Sequence, residues 1–87
     1  MDVFIGTKKS IGNYVVAATS FLRKDKEVVL KARGRAISRA VDVAEILRRE
    51  LVKEAKVAEI RLGSELVQDT KTNRERHIST IEIVLKC

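Results

Sequence analysis

Lys31-Ala32-Arg33-Gly34-Arg35-Ala36-Ile37-Ser38-Arg39-Ala40 sets four cations and no acid around a single glycine. The residues just before it, Val28-Val29-Leu30, are apolar on both faces, as a central strand requires. From Ile37 onward the apolar residues recur at helical steps. The segment therefore reads as a strand that turns at Gly34 and enters a helix. Glycine allows a sharp turn or a positive φ, and the first turn of a helix offers free N–H groups and the positive end of its dipole to an anion. Lys31, Arg33, Arg35 and Arg39 add full charges, and guanidinium forks hold phosphate oxygens in pairs. Taken alone, the decapeptide also fits a solvated basic loop, so its surroundings decide.

Toward the amino terminus, Val3-Phe4-Ile5 is a short strand that stops at Gly6, and Thr7-Lys8-Lys9-Ser10 is a polar, basic turn. Ile11, Tyr14, Val15, Ala18, Phe21 and Leu22 then recur mostly at three- and four-residue steps. This predicts a helix capped by Ser10 that ends near Arg23 or Lys24. Toward the carboxy terminus, Ile37, Ala40, Val41, Ala44, Leu47, Leu51 and Ala55 form one apolar stripe over about five turns. The opposite face carries charged residues, among them Glu45 and Arg49 at the i, i+4 spacing that supports a helix. Val57–Val67 alternates in part and Ile78–Lys86 more cleanly, with Ile81, Ile83 and Leu85 inward, so both read as strands.

Between those strands lies Gln68-Asp69-Thr70-Lys71-Thr72-Asn73-Arg74-Glu75-Arg76-His77, polar throughout. It is longer than an ordinary hairpin connection. Composition alone serves a loop or a two-stranded arm equally well; the Thr-rich stretch between two strands is read here as an arm with both faces wet, reaching roughly 15–17 Å beyond the sheet. Lys71, Arg74 and Arg76 would give it the cations that a groove-entering element needs.

The order β-α-β-α-β-β predicts an α/β fold of the two-layer α+β kind: a small mixed four-stranded sheet, two helices on one face, and an extended β-hairpin arm. Residues 1–87 read as one domain. If the first two strands are parallel neighbours, the Lys8-Lys9 loop and the turn holding Arg33 and Arg35 emerge at the same edge and form one patch.

The 87 residues include 18 Lys and Arg against 12 Asp and Glu, a net charge of +6, which favours a polyanionic partner, nucleic acid before anionic membrane. No apolar run approaches the ~20 residues that span a bilayer, and no leader is expected. Only Phe4, Tyr14 and Phe21 are aromatic, so base stacking is poorly supplied and the core must be aliphatic. Cys87, the one cysteine, fits a reducing cytosol. His77 lies on the wet arm, and neither a Gly-Lys-Ser/Thr phosphate loop nor a metal-ligand cluster occurs. The expectation is a binding protein with no enzymatic activity, no cofactor and no small-molecule substrate.

The run from Lys31 to Asp42, together with Ile5-Gly6, Lys8-Lys9, Asn13-Tyr14-Val15 and Glu59-Ile60-Arg61-Leu62-Gly63-Ser64, resembles the archaeal Alba family of chromatin proteins over essentially the whole chain. The resemblance implies a homodimer in the cytoplasm, associated with the nucleoid, that binds double-stranded DNA and RNA with little sequence preference. It implies that Lys8 and Lys9 lie at the central nucleic-acid-facing loop, that Arg33 and Arg35 contact phosphates beside them, and that the arm with Lys71, Arg74 and Arg76 reaches the minor groove; Asn13, Lys31 and Arg39 complete the candidate binding residues. Several Alba proteins carry an exposed aromatic near the end of the second helix, where neighbouring dimers touch; Leu51 falls there, although its spacing equally fits the buried stripe. The alternative function is an RNA-binding subunit of a ribonucleoprotein, or an RNA-directed regulator.

Overall fold

The computed structural model describes residues 1–87 and has the expected element order: β1 (Asp2–Phe4), α1 (Ile11–Asp25), β2 (Glu27–Arg33), α2 (Ile37–Ile46), β3 (Lys56–Asp69) and β4 (Arg74–Lys86). A 3₁₀ turn, Gly34–Ala36, leads into α2, and a π-helical turn, Leu47–Leu51, closes it. The sheet order is β1-β2-β4-β3. β1 runs parallel to β2 and the other pairs are antiparallel, so the sheet is mixed.

Both helices pack on β2, α1 also on β1 and α2 also on β4. They cover Val3 and Ile5 of the first strand and its extension, Val28, Leu30 and Ala32 of β2, and Ile81, Ile83 and Leu85 of β4, with Val15, Ala18, Leu22, Ala40, Val43, Ala44 and Leu47 facing them. No polar or charged residue is buried, so apolar burial supplies the core's stability, at roughly 25 cal/mol per Å².

Local chemistry explains the boundaries of α1. Ser10 Oγ accepts the Asn13 N–H at 3.3 Å, and Lys26, in the left-handed region at φ 64°, sends its N–H to the Leu22 carbonyl at 3.0 Å. The helix therefore runs a little beyond Lys24. The second helix departs further from the sequence pattern. Its regular part stops at Ile46, and the last turn closes by Val52 N–H donating to Leu47 O at 2.7 Å, five residues back. A π-turn inserts one residue into the helical repeat. The residue that returns to the core after Leu47 is thus Val52, which is buried, and Leu51 is turned outward and 46% exposed. Val41 is exposed as well, and Val43 takes the core position between Ala40 and Leu47.

β3 is an edge strand exposed along nearly its whole length. A bulge between Val57 and Glu59 resets its register, after which Ile60, Leu62 and Leu66 stand opposite Ile83, Ile81 and His77. Those three apolar residues lie on the face that the helices cover elsewhere, yet no helix covers them, and Leu62 is 81% exposed. The β3–β4 ladder continues to Asp69 opposite Arg74, so the polar decapeptide is indeed two-stranded. Its turn is held by Asn73 at φ 59°, whose N–H donates to Asp69 O, and by the Asp69 carboxylate, which accepts the Lys71 N–H at 2.9 Å. The arm extends the molecule to 46 Å in a body only 24 × 18 Å across.

Candidate nucleic-acid interface

Parallel pairing of β1 and β2 brings the chain out of both strands at one end of the sheet. The Lys8-Lys9 loop follows β1, and the Gly34 turn follows β2. Gly34 takes φ 56°, a conformation that L side chains rarely adopt, and its position lets the strand turn at once into the helix. Lys8, Lys9, Arg33, Arg35 and Asn13 are all exposed here. No acid occupies the first turn of α2, and no side chain caps it.

Arg39, one turn into this helix, is spent on the protein itself. Its guanidinium donates to the carbonyls of Gly6 and Lys9. The Tyr14 hydroxyl accepts the Gly6 N–H at 3.0 Å, and the Arg39 guanidinium lies 5.8 Å from the Tyr14 ring centroid. Two elements thus pin both ends of the Lys8-Lys9 loop. A pinned loop loses less conformational entropy when it grips a ligand.

The remaining cations divide into two groups. Lys8, Lys9, Arg35, Lys71, Arg74 and Arg76 have no carboxylate within ion-pair distance, whereas Lys31 pairs with Asp2 at 3.1 Å and Arg33 with Glu65 at 2.9 Å. The paired residues stand on the sheet face away from the helices, where Arg61 also bridges Glu59 and Glu82. The Arg61 guanidinium holds the Glu59 carboxyl below its ordinary range. On the arm, hydrogen bonds to Asp69 from the backbone of Lys71 and then of Thr72 lower its pKa, with the charge of Arg76 a lesser cause, so the acid nearest the tip serves mainly the turn and makes no ion pair with the three cations.

The sequence alone does not show that Tyr14 holds the lysine loop, that Glu65 holds Arg33 or that Phe4 is exposed. Glu65 is 32 residues from Arg33, and only the β2–β4–β3 register brings them together. Phe4 has a signal all the same: between buried Val3 and Ile5, the period of two sends its ring to the open face. His77 lies on the arm and is exposed. No group of three or more His, Cys, Asp or Glu side chains could hold a metal, and no helix is long and apolar enough to cross a membrane.

The Alba family model matches residues 1–64. The chain is 51% identical over 86 residues to DNA/RNA-binding protein Alba of Nanoarchaeum equitans, covering 97% of this chain and 94% of that protein. To DNA/RNA-binding protein Alba of Picrophilus torridus it is 44% identical over 85 residues, covering 95% and 91%. Among solved structures, Alba from Thermoplasma volcanium superposes with a TM-score of 0.89 at 40% identity, with both chains covered in full.

Proposed function

The chain belongs to the Alba family, and we propose that it binds double-stranded DNA and RNA with little regard to sequence, as a homodimer that organises chromatin. Residues 1–87 act in this reading as one nucleic-acid-binding domain with no enzymatic role, in the cytoplasm and on the nucleoid. The observation that carries it is the set of six cations without acid partners, Lys8, Lys9 and Arg35 at the sheet end and Lys71, Arg74 and Arg76 on the arm. Phosphate contacts of this kind position a duplex without reading its bases, and the names of the relatives agree with such a partner.

The strip of Ile60, Leu62 and Leu66 supports the dimer. A second copy that docked its own β3 and α2 on this strip would bury it on both sides, as a two-fold interface does. Two copies would set two patches and two arms along one duplex, multiplying contacts through effective concentration. Sedimentation tests the assembly: the parent should run as a dimer at tens of micromolar, and Leu62→Asp, at an exposed position, should give a folded monomer. Titration against duplex at several salt concentrations tests the binding. The slope of log K on log salt should be steeply negative, at about −0.9 per phosphate neutralised, and binding indifferent to salt would remove the reading.

A further inference from the structure

The sheet face away from the helices carries a feature that duplex binding does not use. A cavity of about 460 Å³ opens there, lined by Phe4, Lys31, Arg33, Glu65, Thr80 and Glu82. Phe4, the one aromatic residue on a strand, is 73% exposed. The Lys31 ammonium lies 5.6 Å from its ring centroid, on the cavity side, and most of the ring faces solvent. Thr80 lies directly across from Arg33 in the β2–β4 ladder, and Glu82 across from Lys31.

We propose that this cavity receives one unpaired nucleobase from a single-stranded or looped stretch of nucleic acid, stacked on Phe4. The proposal rests on the reading above, since it needs the backbone of the strand to lie on the cation patch. Three observations select a base over other occupants. The wall is a flat aromatic surface, on which every base has a π-face to lay. Arg33 lines the cavity and leads through Gly34 into Arg35, so the cavity lies two residues along the chain from an unpaired cation at the sheet end. The polar groups at its edge are mixed in kind: the Thr80 hydroxyl and Glu82 carboxylate face base edges, while Lys31 and Arg33 are held by Asp2 and Glu65, so the flanking phosphates fall to the unpaired Arg35 beyond the turn. Glu65 and Glu82 each engage an arginine through one carboxylate oxygen and keep the other free. A base inside a duplex is already stacked and cannot enter. The cavity therefore adds affinity only where a base is free, and it gives a sequence-indifferent protein a preference for unpaired regions.

A hairpin RNA with 2-aminopurine in its loop, and a blunt duplex with the stem's sequence, test this on the full chain. Because the position is exposed, Phe4→Leu should leave the fold intact, which circular dichroism verifies. The parent should quench the loop fluorophore and prefer the hairpin to the duplex. Phe4→Leu should abolish the quenching and weaken hairpin binding roughly 5- to 100-fold, the range for losing one base–aromatic stack, with duplex binding unchanged. Phe4→Trp should restore both. If Phe4→Leu bound the hairpin as the parent does, or lost hairpin and duplex affinity equally, the cavity would have no such role. If the parent bound neither nucleic acid, the functional reading itself would fall, and the proposal with it.

Discussion

The open face of the four-stranded sheet and the arm into which its β3 and β4 continue treat their cations in opposite ways. On the face, Arg61 bridges two glutamates, Arg33 holds Glu65 and Lys31 holds Asp2. On the arm, Lys71, Arg74 and Arg76 make no ion pair, and Asp69 is occupied mainly by the turn. A cation already compensated by a carboxylate gives little when a phosphate arrives, because the old pair must be broken and its acid left behind. An uncompensated one releases counterions at full value. The exposed face pairs are worth little to stability; in the proposed mode of binding they withhold charge from the duplex and leave its contacts to the arm and the sheet end.

The largest expected effect follows from removing one side of that contrast. Replacing Asp69–Arg76 with a two-residue turn should lower duplex affinity at least about tenfold at moderate salt, since three phosphate contacts go from each protomer. The melting temperature should stay within a few degrees, because the arm packs on nothing. An equal affinity after shortening would make the arm's charges idle.

Smaller effects sharpen the division. Lys9→Ala should make the salt slope shallower by about one, and Arg33→Ala by clearly less. Glu65→Gln should do the reverse, freeing Arg33 and steepening the slope toward one further contact. A Glu65→Gln protein with unchanged slope would show that Arg33 was never withheld.

At the end of α2 the contrast is between core and surface. The π-turn puts Leu51 in solvent, so Leu51→Asp should fold normally and suppress cooperativity between dimers on long duplex, read as a less sigmoidal isotherm. Leu51→Phe should strengthen the contact by about 0.5–1.5 kcal/mol, the range for an aromatic pair beyond its area. Unfolding on Leu51→Asp would return the residue to the core.

The smallest effect is one of pH. Asp69 has its pKa lowered by the N–H of Lys71 first, so its folded value lies below its unfolded one. The turn therefore has this support above the ordinary carboxylate range and loses it as pH falls through the depressed value. Amide exchange at Lys71 and Asn73 should accelerate in that acid window, and Asp69→Ala should show the faster exchange already at neutral pH.

Much of this architecture was legible in the sequence, because local periodicity, turn chemistry and strand composition agree. The two basic loops could be placed together on the single condition that β1 and β2 be parallel neighbours, and they are. The arm was legible from its length and its threonines. What escaped was whatever depends on register or on a non-standard helical turn. A stripe read at 3.6 residues per turn predicts Leu51 inside, and one added residue moves it out and Val52 in. The partners of Lys31 and Arg33 escaped for the same reason: a basic decapeptide shows its charges, while the acids that compensate them lie on other strands. Arg39 looked like a phosphate contact, and its geometry makes it the staple of the lysine loop.

In the proposed mode of binding, uncompensated cations carry the duplex and compensated ones do not. Two triple variants remove the same charge from the two regions: Lys71→Gln with Arg74→Gln and Arg76→Gln on the arm, and Lys31→Gln with Arg33→Gln and Arg61→Gln on the face. The slope of log K against log salt, measured for both on one duplex, should become shallower by about 2.7 per protomer for the arm variant, three contacts at about 0.9 each and so about 5.4 for a dimer with both arms engaged, and by less than about one per protomer for the face variant. Equal losses of slope from the two variants would contradict the account.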